Sequence, residues 1–139
     1  SIVDLISAMS SGHDGSISTI HANDPENMCN VRIPILYSMN KDVNFSEKSI
    51  AMQISEAIQV IVQIKRFPDG SRKISQISSV EGLDENDKVK VIDIFRYDKN
   101  KKDFVATGYV PRSIIEKIRS QNIPFQESIF KVKRGEENA

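Results

Sequence analysis

A single cysteine, no excess charge of either sign, few glycines and prolines, and no long apolar run mark this 139-residue chain, and each shortage excludes something. Cys29 has no partner for an internal disulfide, which makes the reducing cytosol the default compartment. Nineteen Lys and Arg balance nineteen Asp and Glu. That sum gives no electrostatic reason to expect duplex nucleic acid or an acidic membrane surface as partner. Six Gly and five Pro are too few for a collagenous or low-complexity chain. No apolar run approaches the ~18 residues of a membrane helix, and the N-terminus lacks the basic region and apolar core of a signal peptide. No G-x-x-x-x-G-K-[ST] or G-x-G-x-x-G phosphate loop occurs, and no C-x-x-C pair. With 39% apolar and 27% charged residues, the chain suits roughly one domain with a real core. It starts at Ser1, and its first residues already read as helix, so it reads as a piece of something longer.

Hydrophobic spacing places an amphipathic helix over residues 2–10, ended by Ser10, Ser11 and Gly12. The β-branched run 16–21 reads as a strand. Asp24 before Pro25 is a capped helix start, and Pro34 must interrupt, kink or restart that helix. Ser46 caps a further helix, onto whose Ile50 the preceding Phe45 can staple. From Ile58 the period changes to two, with Ile58, Val60, Val62 and Ile64 on one face. Pro68-Asp69-Gly70 turns the chain into a second strand, giving a hairpin over 58–80. Strands at 88–97 and 104–109 follow. Ser113-x-x-Glu116 after Pro111 reads as a capping box for a last helix with Ile114, Ile115 and Ile118 inward. Phe125, Ile129 and Phe130 dock as one final turn, and 131–139 should be disordered. The order is α/β: helix, strand and helices over 1–57, a strand-rich antiparallel segment over 58–110, and a C-terminal helix over 111–130.

Chemistry-bearing residues crowd into Gly12–Asn23, which holds both histidines, His13 and His21, with Asp14, two glycines and several hydroxyls. A histidine at the end of a strand can donate to a phosphate oxygen or exchange a proton near neutral pH. The bland alternative is a histidine capping a turn. His13, His21 and Cys29, which an Asp could bring to four ligands, lack the paired spacing of a zinc site. Cys29 as nucleophile beside His21 is weaker, because a thiol inside a helix is usually buried. Lys65, Arg66, Arg72 and Lys73 flank the Pro68 turn as a basic patch, and such charge commonly just protects an edge. Arg32 reads as a solvated helix face.

The stretch GHDGSISTIHAN at 12–23, after Asp4-Leu5-Ile6-Ser7-Ala8-Met9, resembles the histidine box of the type II/type IV secretion and pilus-assembly ATPases, and their CpaF-type, tight-adherence branch most closely. Ile58–Gln63 with Asp69–Arg72, Val91–Phe95 and Thr107–Arg112 resemble that family's later strands and its turn before the last helix, so the likeness spans residues 1–130. It implies the C-terminal portion of a RecA-like P-loop NTPase domain, with a nucleotide site shared between protomers of a hexameric ring. His21 would lie near the γ-phosphate, His13 would belong to the same box, and Arg32, Arg66 and Arg72 would be candidates for phosphate or neighbouring-subunit contacts. ATP and Mg²⁺ would be cofactors of the complete protein, with none held tightly by this chain. Partners would be other protomers and inner-membrane pilus or secretion platform proteins, not nucleic acid, at the cytoplasmic face of the membrane. The family's P-loop and Walker B carboxylate precede this segment, so the chain alone should not hydrolyse ATP. A standalone interaction module docking onto a secretion ATPase or a secretion component is the alternative, and a metal-dependent hydrolase on His13, His21 and Asp14 a third reading.

Overall fold

The computed structural model describes residues 1–11, 15–42 and 44–133. The fold is mixed α/β. Helix α1 (Ile2–Ser10) forms where the spacing predicts, started by a capping box in which the Ser1 hydroxyl accepts from the Asp4 N–H at 3.4 Å and the Asp4 carboxylate accepts from the Ser1 backbone nitrogen at 3.5 Å. Asp24 caps α2 (Pro25–Asn27), accepting from the Asn27 N–H at 2.7 Å. Of the outcomes open at Pro34, the structure shows a restart, with the proline at the second position of a new α-helical stretch. A π-helical turn over Met28–Arg32 carries the chain into α3 (Ile33–Ser38). The Ile33 N–H reaches the Met28 carbonyl, five residues back, so the wider turn takes up the mismatch just where Pro34 has no N–H to give. Ser46 caps α4 (Glu47–Ala57) through the Ser49 N–H at 3.1 Å. The Phe45 ring is paired with Tyr37, centroids 6.0 Å apart.

Four strands follow: β1 (Val60–Arg66), β2 (Arg72–Leu83), β3 (Val89–Asp98) and β4 (Asp103–Ala106). They lie in the order β1-β2-β3-β4, an antiparallel meander, with Phe95 opposite Ala106 and Asp98 opposite Asp103. Helix α5 (Arg112–Ser120) and a 3₁₀ turn (Glu127–Phe130) complete the described chain.

Two compact units are built from these elements. The first comprises Ser1–Ile61 with Val80–Val91, and its core is Ile6, Cys29, Ile33, Tyr37, Ile50 and Ile54 with their neighbours. The second comprises Val62–Ser79 and the chain from Ile92 onward. Its core is Ile94, Ile115 and Phe130, and the Phe130 ring meets Phe95 and Phe125 at 5.8 and 5.6 Å.

Several expectations are corrected. Residues 16–21 belong to no strand of the sheet, and Ile17 stands 94% exposed: β-branched composition makes a strand only where a neighbour completes its ladder. The parallel, crossover-linked sheet of a RecA-like domain is not formed by the described residues. On β1, Ile61 is the buried residue, whereas Val60, Val62 and Ile64 face out at 43%, 51% and 59% exposure. Alternation gives two faces without saying which one the core covers. The last strand stops at Ala106, before Gly108 turns the backbone at φ +96°. Helix α5 starts at Arg112 behind Pro111, which makes no side-chain cap, so Ser113 lies inside the helix and heads no capping box. Phe130 docks but Ile129 stays half-exposed. Of the predicted tail, Lys131–Lys133 are exposed and 134–139 lie outside the described residues.

Candidate functional site

The residues singled out by the sequence fall into different settings. His13 and Asp14, with Gly12, lie outside the described residues. His21 lies outside any helix or strand, between Ile20, packed against the first unit's core, and the Asp24 cap three residues on, and its side chain is exposed. Arg32 is exposed at the end of the π-helical turn. Arg66 and Arg72 belong to the second unit, exposed on either side of the turn closed by Phe67 N–H to the Ser71 carbonyl at 2.8 Å. In that turn two Ser71 hydrogen bonds hold the Asp69 carboxyl below the usual carboxylate range.

Cys29 is 1% exposed in the first unit's core, and burial pushes its thiol up to about 12. Burial thus holds the thiol protonated at neutral pH, where it is a poor nucleophile. Native protein at pH 8 should react with a thiol reagent at least about 100-fold more slowly than urea-unfolded protein, because labelling awaits opening. Equal rates would contradict the burial. The folded thiol ionises above its ordinary value of 9.0, so this contribution to stability is complete below pH 9 and declines as pH climbs toward 12.

A cleft that no sequence signal indicated opens in the first unit, with a volume near 730 Å³. The π-helical turn and α3 supply Asn30 and Tyr37, the start of α4 supplies Glu47 and Lys48, and the β2–β3 turn supplies Asn86 and Lys88. Burial raises the Tyr37 phenol above its ordinary range. Its hydroxyl donates to Gln53 at 3.2 Å, and the Gln53 amide donates to Ser49 at the same distance. Asn30 fixes one wall. Its carboxamide donates to the Val89 carbonyl at 3.0 Å and accepts from the Val89 N–H at 2.9 Å, a side chain acting as a strand partner across 59 positions. Nothing local in the sequence marks Asn30 for this, since the partner is a backbone group. The size suits a small ligand, and the mixed carboxamides, ammoniums and carboxylates suit a polar one.

In the second unit, Asp93 joins the strands: its Oδ1 accepts from Gln76 at 2.8 Å and from the buried Ser78 at 2.7 Å, and its Oδ2 pairs with Arg96 at 3.2 Å. Thr107 donates to the Asp93 carbonyl at 2.7 Å. With Ser78 wholly buried, this network organises the sheet and offers no nucleophile to a substrate.

Among the described residues no helix is long and apolar enough to cross a membrane, and no three His, Cys, Asp or Glu side chains are grouped to hold a metal ion. No family model matches the chain. Two proteins of Mycobacterium tuberculosis, from strains CDC 1551 / Oshkosh and ATCC 25618 / H37Rv, are similar over 105 residues at 25% identity; each carries the name "Putative conjugal transfer protein". The aligned part is 76% of this chain and 28% of either relative, so the chain spans well under half of their length. These findings overturn the assignment to the type II/type IV secretion ATPases and their CpaF-type branch, which neither a family match nor the antiparallel meander supports. What stands in its place is a distant similarity to proteins named for conjugal transfer.

Proposed function

We propose that the chain forms one section of a protein working in conjugal transfer. The observation that carries this is the run of 105 residues aligned at 25% identity with two proteins bearing that name. Since the run is 28% of those proteins, the reading concerns one section of them and not their whole activity. In a donor cell carrying the gene, in-frame removal of this section is expected to reduce transfer to the level of a full deletion, with restoration by the intact gene. Unchanged transfer at normal expression would reject the reading.

His21 favours a second, narrower reading, in which the section touches a nucleotide phosphate. An exposed imidazole between Ile20 and the Asp24 cap can offer an N–H to a phosphate oxygen. The chain carries no phosphate-cradling loop, so other sections would hold ATP and Mg²⁺. The isolated chain is then expected to show no ATP turnover near the ~1 s⁻¹ of a typical enzyme. Steady turnover that survives further purification and disappears in His21→Ala would overturn this.

A further inference from the structure

The zero net charge of the chain conceals a concentration of positive charge at one end of the sheet. A meander of antiparallel strands sends alternate turns to the same end, so the β1–β2 and β3–β4 turns come together. The Phe67 and Tyr97 rings, one from each side of this junction, meet edge to face at 4.8 Å. Residues 65–73 and 98–103 then gather Lys65, Arg66, Arg72, Lys73, Lys99, Lys101 and Lys102 against Asp69, Asp98 and Asp103. All seven basic side chains are exposed. The carboxylates of Asp69 and Asp98 accept from the backbone N–H groups of their own turns.

Beside this charge lies exposed aliphatic surface. The Phe67–Ser71 closure sets Ile64 across the hairpin from Ile74, by counting back three residues on each strand. Ile64, Ile74 and Val62 are 59%, 42% and 51% exposed. Basic side chains next to protruding aliphatic ones match the headgroup and acyl boundary of an anionic bilayer. A single-stranded nucleic acid needs the same charge but also free aromatic faces on which to stack. Here Phe67 and Tyr97 are half-buried against each other, with the Lys73 ammonium over both rings at 5.2 and 5.9 Å.

We infer that the β1–β2 hairpin tip and the adjoining β3–β4 turn form a docking surface for an anionic phospholipid bilayer, with Arg66 and Arg72 meeting the headgroups on the strand face that carries Ile64 and Ile74, and those two side chains entering the interface. The inference does not depend on the conjugal-transfer reading. The full chain is tested by co-sedimentation with phosphatidylcholine vesicles with and without phosphatidylglycerol. Binding is expected only with phosphatidylglycerol, and it weakens as salt is added. The double variant R66E/R72E should lose at least about tenfold in affinity. I64S should bind more weakly than the unaltered chain at equal salt, with its circular dichroism spectrum unchanged. Equal binding to both vesicle types, no binding to either, or insensitivity to R66E/R72E would each overturn the proposal. So would a single-stranded oligonucleotide that displaces the chain from vesicles through the same arginines. The salt titration of the unaltered chain decides the matter should a variant fail to fold.

Discussion

Ile54→Ala is expected to destabilise the first unit by about 2–5 kcal/mol, the largest effect of any single truncation proposed for this protein. Ile54 is fully buried within a cluster that includes Ile6, Ile33, Ile50 and Ala57. Removing its branched side chain takes away the transfer free energy of the lost carbons and leaves a cavity that neighbours on separate helices close only in part. Helix propensity works the other way: Ala is the better helix former by a few tenths of a kcal/mol, far too little to compensate. The matching control is Ile17→Ala, where a side chain 94% exposed has almost nothing to lose and the change should stay within about 0.5 kcal/mol. Denaturant unfolding of both variants measures the difference as a shift in midpoint at unchanged slope. A shift for Ile54→Ala no larger than that for Ile17→Ala would mean that α4 is not packed as described.

Asn30→Ala should cost about 2–4 kcal/mol for a different reason. Its carboxamide makes both hydrogen bonds to the Val89 backbone, and Val89 is 2% exposed at the start of β3. Truncation leaves a backbone donor and a backbone acceptor beside the core without partners, each worth about 1–3 kcal/mol when buried, less what entering water returns. Asn30→Asp separates the contributions: a carboxylate can still accept from the Val89 N–H but sets a negative oxygen against the Val89 carbonyl. It should therefore restore less than half of the loss. Hydrogen exchange at the Val89 amide supplies the local readout, since protection there should fall in both variants. Protection that survives Asn30→Ala would show that Val89 draws on another acceptor.

The two predictions rest on features of unequal legibility. The helix carrying Ile54 can be read from Ser46 and the recurrence of Ile50, Ile54, Ala57 and Ile58, because a cap and a 3.6-residue period act within one or two turns of chain. Asn30 could not be found in this way. Its role depends on a backbone group 59 residues distant and on the π-helical turn that brings it there. The candidate cleft is hidden for the same reason, since Asn30, Glu47 and Asn86 converge only after the helices and the β2–β3 turn have packed. The stretch 12–23 shows the opposite case: residues 16–21 join no strand, and the relatives that align bear another name than the family its motif resembles.

By itself, then, the sequence determined the local decisions: the capped starts at Asp24 and Ser46, the Pro68-Asp69-Gly70 turn, and the succession of helices, antiparallel strands and last helix. Each follows from forces between residues a few positions apart. Only the tertiary structure decided that Val62 and Ile64 face outward while Ile61 is covered, that the helix restarts at Pro34 through a π-helical turn, and that basic residues from two turns meet at one end of a sheet. Periodicity defines a face without saying what covers it, and a sum of charges carries no positions; both are set when segments far apart in the chain come into contact.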